Sequence, residues 1–220
     1  MSVQLRTGKT RADGIPTALS PPENLSTRLE LFRKGIHLAA IPCIWFVFWQ
    51  DAVVPWLILV PGSAVALLVD YARIRNVSWV HRILRPLHQL FRRSEYQRDT
   101  FLHGINGATW LVVTVALCSL LFSGPVVTLA STVFLLGDAV AALVGRTLGG
   151  PRLPYSHKSI FGSMAGGMTM SLTLMFLGDQ SLILALSIGL FATTIEAYAT
   201  LPNDNLTGIL GLCVLLSWGL

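Results

Sequence analysis

From Pro125 to Val144 the chain reads PVVTLASTVFLLGDAVAALV, twenty residues with one ionisable side chain, Asp138. At a helical rise of about 1.5 Å per residue, such a segment crosses the ~30 Å hydrocarbon core of a bilayer. Six segments of similar character surround it, at about 36–50, 52–69, 101–122, 160–177, 181–199 and 206–220. The pattern predicts an all-α, polytopic transmembrane bundle of seven spans, or six with one interfacial piece, because the first and last runs are short. Composition agrees. Of 220 residues 53% are hydrophobic and 12% charged, with a mean hydropathy of +0.63, too little polar material to cover a soluble globule and too much apolar material for a disordered chain. Cys43, Cys118 and Cys213 all lie in apolar runs, which excludes a disulfide-stapled module and makes them packing residues.

Residues 1–25 contain Arg6, Lys9, Arg11 and three prolines without an apolar run, and are expected to form a flexible tail ahead of a single membrane domain, 26–220. Thr27 and Glu30 have capping-box spacing and should start a helix that runs into the first apolar segment. In the seven-span arrangement all 16 Lys and Arg residues fall on one side, in the tail, the long loop from Arg73 to Arg98 and the loop from Arg146 to Lys158. The positive-inside rule makes that side cytoplasmic, so the chain is expected to be a multi-pass protein with its amino terminus and active site on the cytoplasmic side, in the cell membrane if the source is prokaryotic. The net charge of +5 then describes topology and calls for no nucleic-acid partner. Within the long loop, residues 78–97 place Trp79, Val80, Ile83, Leu84, Leu87, Leu90 and Phe91 opposite His81, Arg82, Arg85, His88, Arg92 and Arg93. This is the pattern of an amphipathic helix, kinked at Pro86, lying on membrane lipids at the cytoplasmic face.

An ionisable group at membrane depth costs at least ~2.5 kcal/mol and persists with a purpose or a partner. Asp138 sits among small residues at 137, 139, 141, 142 and 145, a face suited either to close helix packing or to a ligand. Gly145-Arg146-Thr147-Leu148-Gly149-Gly150-Pro151 follows, and Lys158-Ser159-Ile160-Phe161-Gly162 opens the next span. Glycines, cations and the amides of a helix start can cradle phosphate, although a simple hairpin accounts for the same residues. His157 before Lys158-Ser159 rules out a Walker A loop. Arg33, Lys34 and His37 share one turn of the first helix, and Glu196 precedes Asn203-Asp204-Asn205-Leu206-Thr207. Cations for phosphates and carboxylates for a divalent metal, all at one membrane face, are the components of phosphoryl or nucleotidyl transfer from a cytosolic nucleotide.

These residues also carry a resemblance. Glu30-Leu31-Phe32-Arg33-Lys34-Gly35-Ile36-His37, Gly137-Asp138-Ala139 with Gly145-Arg146, Lys158-Ser159-x-x-Gly162, and Ile195-Glu196-Ala197 followed by Asp204-Asn205-Leu206-Thr207 resemble the ordered motifs of the phytol kinase and dolichol kinase family, over about Glu30 to Leu210. The resemblance implies a membrane kinase that passes the γ-phosphate of CTP, with Mg2+ or another divalent cation, to the hydroxyl of an isoprenoid alcohol or diacylglycerol. Arg33, Lys34, Asp138 and Gly145 match positions important for activity in that family. The implied catalytic set is Asp138, Lys158, Arg33 and Lys34. Nucleotide phosphates would meet Arg33, Lys34, His37, Gly145, Arg146, Lys158, Ser159, Gly162, Asn205 and Thr207, and the metal Asp138, Asp204 and Glu196. Asp138 could instead accept the proton of the alcohol.

Phe161 stands where the family commonly carries an acidic residue, with Glu196 the candidate to replace it; an inactive homologue would show the same departure. A phosphatidate cytidylyltransferase is similar around the Asp, Gly-Arg and Lys-Ser stretch, but its carboxyl-terminal Lys-Arg, Lys-Asp, His-Gly-Gly and Asp-Arg signature is missing. A small transporter would place its polar residues near the midplane and show repeated halves; here they gather at helix ends.

Overall fold

A computed structural model describes residues 27–49, 54–75, 77–84, 101–156, 158–198 and 203–219. The expected tail, 1–25, and residues 85–97 of the expected amphipathic helix lie outside these. Among the described residues the chain forms nine helices: α1 (Thr27–Trp49), α2 (Val54–Ile74), α3 (Ser78–Leu84), α4 (Phe101–Gly104), α5 (Gly107–Leu121), α6 (Gly124–Thr147), α7 (Ile160–Leu177), α8 (Leu182–Tyr198) and α9 (Asp204–Gly219). The described part is all-helical, and its β-type pairing is limited to one isolated bridge, Arg152 with Ser159. α1, α2, α6 and α7 are long and apolar enough to cross a membrane, while α5, α8 and α9 are apolar but shorter. The protein is an integral membrane protein. Large apolar side chains cover its outside, among them Trp56, Leu57 and Leu68 on α2, Met168 and Phe176 on α7, and Ile183 and Leu190 on α8, which a water-soluble surface would not tolerate in such extent.

α6 is the central helix, buried from Val126 through Leu135 and packed against α1, α7 and α9. Pro125 in its first turn supplies a fixed φ where no amide partner is required. Val127, Ala130, Val133 and Phe134 meet Leu111, Val115 and Cys118 of α5, Met170 and Leu174 of α7, Ile188 and Ala192 of α8, and Ile209, Leu212 and Leu216 of α9. Cys118 and Cys213 are buried in this core, as packing residues should be. The small-residue face of α6 is a helix contact. A Cβ on Gly162 would lie 2.6 Å from the Ala141 carbonyl oxygen, and one on Gly166 would lie 3.0 Å from that of Gly137, so α7 approaches α6 to a distance that only glycine allows.

One boundary matches the sequence expectation and one differs. α1 begins at Thr27, where the Thr27 and Glu30 spacing placed a helix start, and runs without interruption into the apolar run. The span expected at 101–122 is broken at Ile105–Asn106. Asn106 takes an extended conformation and its side-chain oxygen accepts from the amides of Ala108 (2.7 Å) and Thr109 (3.0 Å). An Asn side chain that satisfies free amides competes with helix continuation and wins here.

Candidate functional site

The amino ends of α1, α5, α7 and α9 and the carboxyl ends of α2, α6 and α8 meet at one end of the bundle, the arrangement that alternating antiparallel helices produce. The polar residues of the sequence motifs gather there. Lys34 of α1 donates to the Asp138 carboxylate of α6, and both are buried, at 6% and 4% exposure. One residue earlier, Arg33 holds Glu30 through two bonds, 2.6 and 3.3 Å, and the Arg146 guanidinium stands 4.0 Å from the same carboxylate. Glu30 thereby ties the start of α1 to the end of α6. A charge this deep is retained where a partner offsets its desolvation.

The α6–α7 connection is an ordered hairpin. Gly149 and Gly150, both at positive φ, lead the chain out of α6, and the turn itself lies at Pro154–Ser156, with Tyr155 also at positive φ; it is closed by bonds from Leu153 to the Lys158 carbonyl and from Ile160 to that of Pro151, 2.9 Å each. Lys158 reaches the end of α8, where its ammonium binds the Glu196 carboxylate and, at 2.6 Å, the Glu196 carbonyl. Ser156 donates to the Ala197 carbonyl alongside it. A cation on the last carbonyls of a helix offsets the negative end of its dipole. Lys158 also lies within electrostatic reach of Asp138, and Asp138 within reach of Glu196, so the two ion pairs form one charged layer.

The remaining motif residues fall into two groups. Ser159 accepts from the Gly162 amide at 3.0 Å and caps α7, and a Cβ on Gly145 would lie 2.9 Å from its hydroxyl oxygen. Gly145, Ser159 and Gly162 thus sit in the α6–α7 contact, behind the charged layer. At α9, Asn203 and Asp204 accept from the Asn205 amide at 2.9 and 3.0 Å, and the Thr207 hydroxyl donates to the Asn203 carbonyl at 3.2 Å, a turn that caps the helix. Asn205 crosses to α5, donating to the Gly107 carbonyl at 2.9 Å. His37 is 5% exposed and its Nδ1 has no hydrogen-bond partner among the described residues.

Asp138 and Glu196 are each bound by a lysine, and no group of three His, Cys, Asp or Glu side chains among the described residues is placed to hold a metal ion. Asp138, Glu196 and Asp204 therefore do not fit the shared three-carboxylate site expected of them. Phe161 lies over the hairpin, where a Cβ on Gly150 would meet its ring at 2.5 Å.

A third polar group, Asp70, Arg73 and Asn106, lies outside the sequence motifs. Asp70, 1% exposed, accepts from Arg73 Nε (2.9 Å), the Asn106 amide (2.9 Å) and Asn106 Nδ2 (3.3 Å). Arg73 also donates to the Gly104 carbonyl. The available signals were the i,i+3 spacing of Asp70 and Arg73 and an Asn-Gly pair inside an apolar run.

No protein-family model matches the chain, and no solved structure matches it. The chain is similar to an uncharacterized protein of Rickettsia prowazekii (strain Madrid E), 25% identical over 193 residues that cover 83% of this chain and 90% of that one.

Proposed function

We propose that the protein is a membrane lipid kinase that transfers the γ-phosphate of CTP to the hydroxyl of an isoprenoid alcohol of the phytol, polyprenol or dolichol type, or of diacylglycerol. The observation that carries this reading is the buried Lys34–Asp138 pair, which joins motifs 104 positions apart and puts Arg33, Arg146, Lys158 and Glu196 around them. The charged end faces the cytoplasm, on the strength of the one-sided Lys and Arg distribution, and so meets a cytosolic nucleotide while the acceptor arrives from the membrane.

In the reaction the alcohol oxygen attacks the γ-phosphorus, the bond from that phosphorus to the bridging β-oxygen breaks, and CDP leaves. Asp138 takes the hydroxyl proton, with Lys34 fixing the orientation of its carboxylate. Arg33, Arg146 and Lys158 offset charge on the phosphates, where positioning and electrostatics account for most of the catalysis. Glu196, held by Lys158, supplies the carboxylate that Phe161 does not. The divalent cation belongs to the substrate, as the CTP complex.

Purified protein in detergent, given CTP or ATP labelled at the γ- or α-position and a panel of phytol, farnesol, long polyprenols, diacylglycerol and phosphatidate, tests this. Label from the γ-position should enter an alcohol, and Asp138→Asn should lower the rate by about 10²- to 10⁴-fold. Label from the α-position entering phosphatidate would establish a cytidylyltransferase instead. No incorporation into any acceptor, with Asp138→Ala unchanged in nucleotide binding, would end the enzymatic reading.

A further inference from the structure

α2 buries little of itself, yet its Asp70 and Arg73 are among the most enclosed polar side chains described, 1% and 4% exposed. A buried ion pair stabilises a fold little more than apolar residues of similar volume would, and what this one touches is informative. Outside α2, Asp70 accepts from Asn106, and Arg73 reaches the carbonyl of Gly104, two residues earlier. Asn106 in turn caps α5 through the amides of Ala108 and Thr109. The next residue, Gly107, is where α1 and α9 converge. Asn205 donates to its carbonyl at 2.9 Å, and a Cβ placed on it would lie 3.4 Å from Arg33 Nη1, 3.6 Å from His37 Cε1 and 3.8 Å from Asn205 Nδ2. Gly107 is thus the surface against which three of the proposed phosphate-binding side chains rest.

We propose that Asp70, with Arg73 and Asn106, is a positioning device for the nucleotide phosphates. It fixes the break between α4 and α5, so that Gly107 stands at the right height beneath Arg33, His37 and Asn205. None of the three need touch substrate. This rests on the kinase reading for the identity of the ligand, though the geometric coupling from Asp70 to His37 does not. A displacement of about 1 Å in a positioning group can cost up to about 100-fold in rate.

Asp70→Asn is the deciding variant, in the full chain in detergent. It keeps the shape of Asp70 but not the charge that holds Arg73 and the Asn106 amide. The KM for CTP should rise about tenfold, with the KM for the lipid alcohol unchanged and kcat within about twofold. Independently of activity, the imidazole signals of isotope-labelled His37 should shift and amide exchange at Ala108 and Thr109 should accelerate. Leu129→Ala, at the far end of α6, serves as a control that lowers thermal stability without the KM split or the His37 shift. If Asp70→Asn leaves the His37 signals in place, the proposal is overturned, whether or not α5 exchange rises. If wild-type protein phosphorylates no alcohol but Asp70→Asn still moves His37, the kinase reading fails while the coupling stands. A uniform fall in kcat and in both affinities, matched by the Leu129→Ala control, would make Asp70 merely structural and also overturn the proposal.

Discussion

Lys34 and Asp138 are each other's answer to burial, and neither is stable alone at that depth. Lys34→Met leaves a carboxylate without its cation and should destabilise the protein by about 3 to 5 kcal/mol, seen as a lowered melting temperature in detergent. The double variant Lys34→Met with Asp138→Asn removes both charges and should recover most of that loss, without restoring the proposed phosphate transfer. A double variant no more stable than the single one would refute the pairing. Asp138, Lys34, Lys158 and Glu196 were all legible in the sequence, because an ionisable group in or beside an apolar run demands a reason. Their pairing was not legible. Nothing in one dimension told Lys34 to pair with Asp138, or Lys158 with Glu196. Asp70 escaped notice for the opposite reason: it sits one position past an apolar run, where a charged residue looks like an ordinary helix end.

At the scale of elements, glycine has two meanings that the sequence alone does not separate. Gly162 is in the α6–α7 contact, where a Cβ would strike the Ala141 carbonyl, whereas Gly62 on α2 has nothing within 4 Å of an added Cβ. Gly162→Ala should therefore cost about 1 to 3 kcal/mol, and Gly62→Ala should be neutral or raise stability by up to about 1 kcal/mol through helix propensity. Thermal unfolding of both variants in one detergent checks the contrast, and equal melting temperatures would refute it. The small residues around Asp138 left packing and ligand binding open; Gly166 and Gly162 against Gly137 and Ala141 decide for packing on that face. Helix existence was readable throughout from apolar length. The α4–α5 break was not, because Asn106 acts through a cap and a long-range bond to Asp70, neither of which alters local hydropathy.

For the whole molecule, the charged end and the far end should lie on opposite sides of the membrane. Tyr155 tips the hairpin at the first, and Asp179 follows α7 at the second; both are exposed. In a background with Cys43, Cys118 and Cys213 replaced by alanine, Tyr155→Cys should react with an impermeant maleimide only from the cytoplasmic side, and Asp179→Cys only from the outside. Labelling of both from one side would defeat the alternating arrangement.

The three shorter apolar helices, α5, α8 and α9, are neighbours, with α9 between the other two. With 15, 17 and 16 residues they measure about 22 to 26 Å at 1.5 Å per residue, whereas α1 and α6, at 23 and 24 residues, measure about 35 Å. One flank of the bundle is therefore, over its described residues, several ångströms shorter than a ~30 Å hydrocarbon layer, a mismatch that local thinning of the bilayer would relieve. Thinning lowers the headgroup plane beside the ends of α5, α8 and α9, which bear Asn106, Glu196 and Asn205. On the proposed kinase reading, such thinning would carry a lipid hydroxyl on that flank toward the charged layer, and transfer should run faster in vesicles of short-chain lipids than in thick ones.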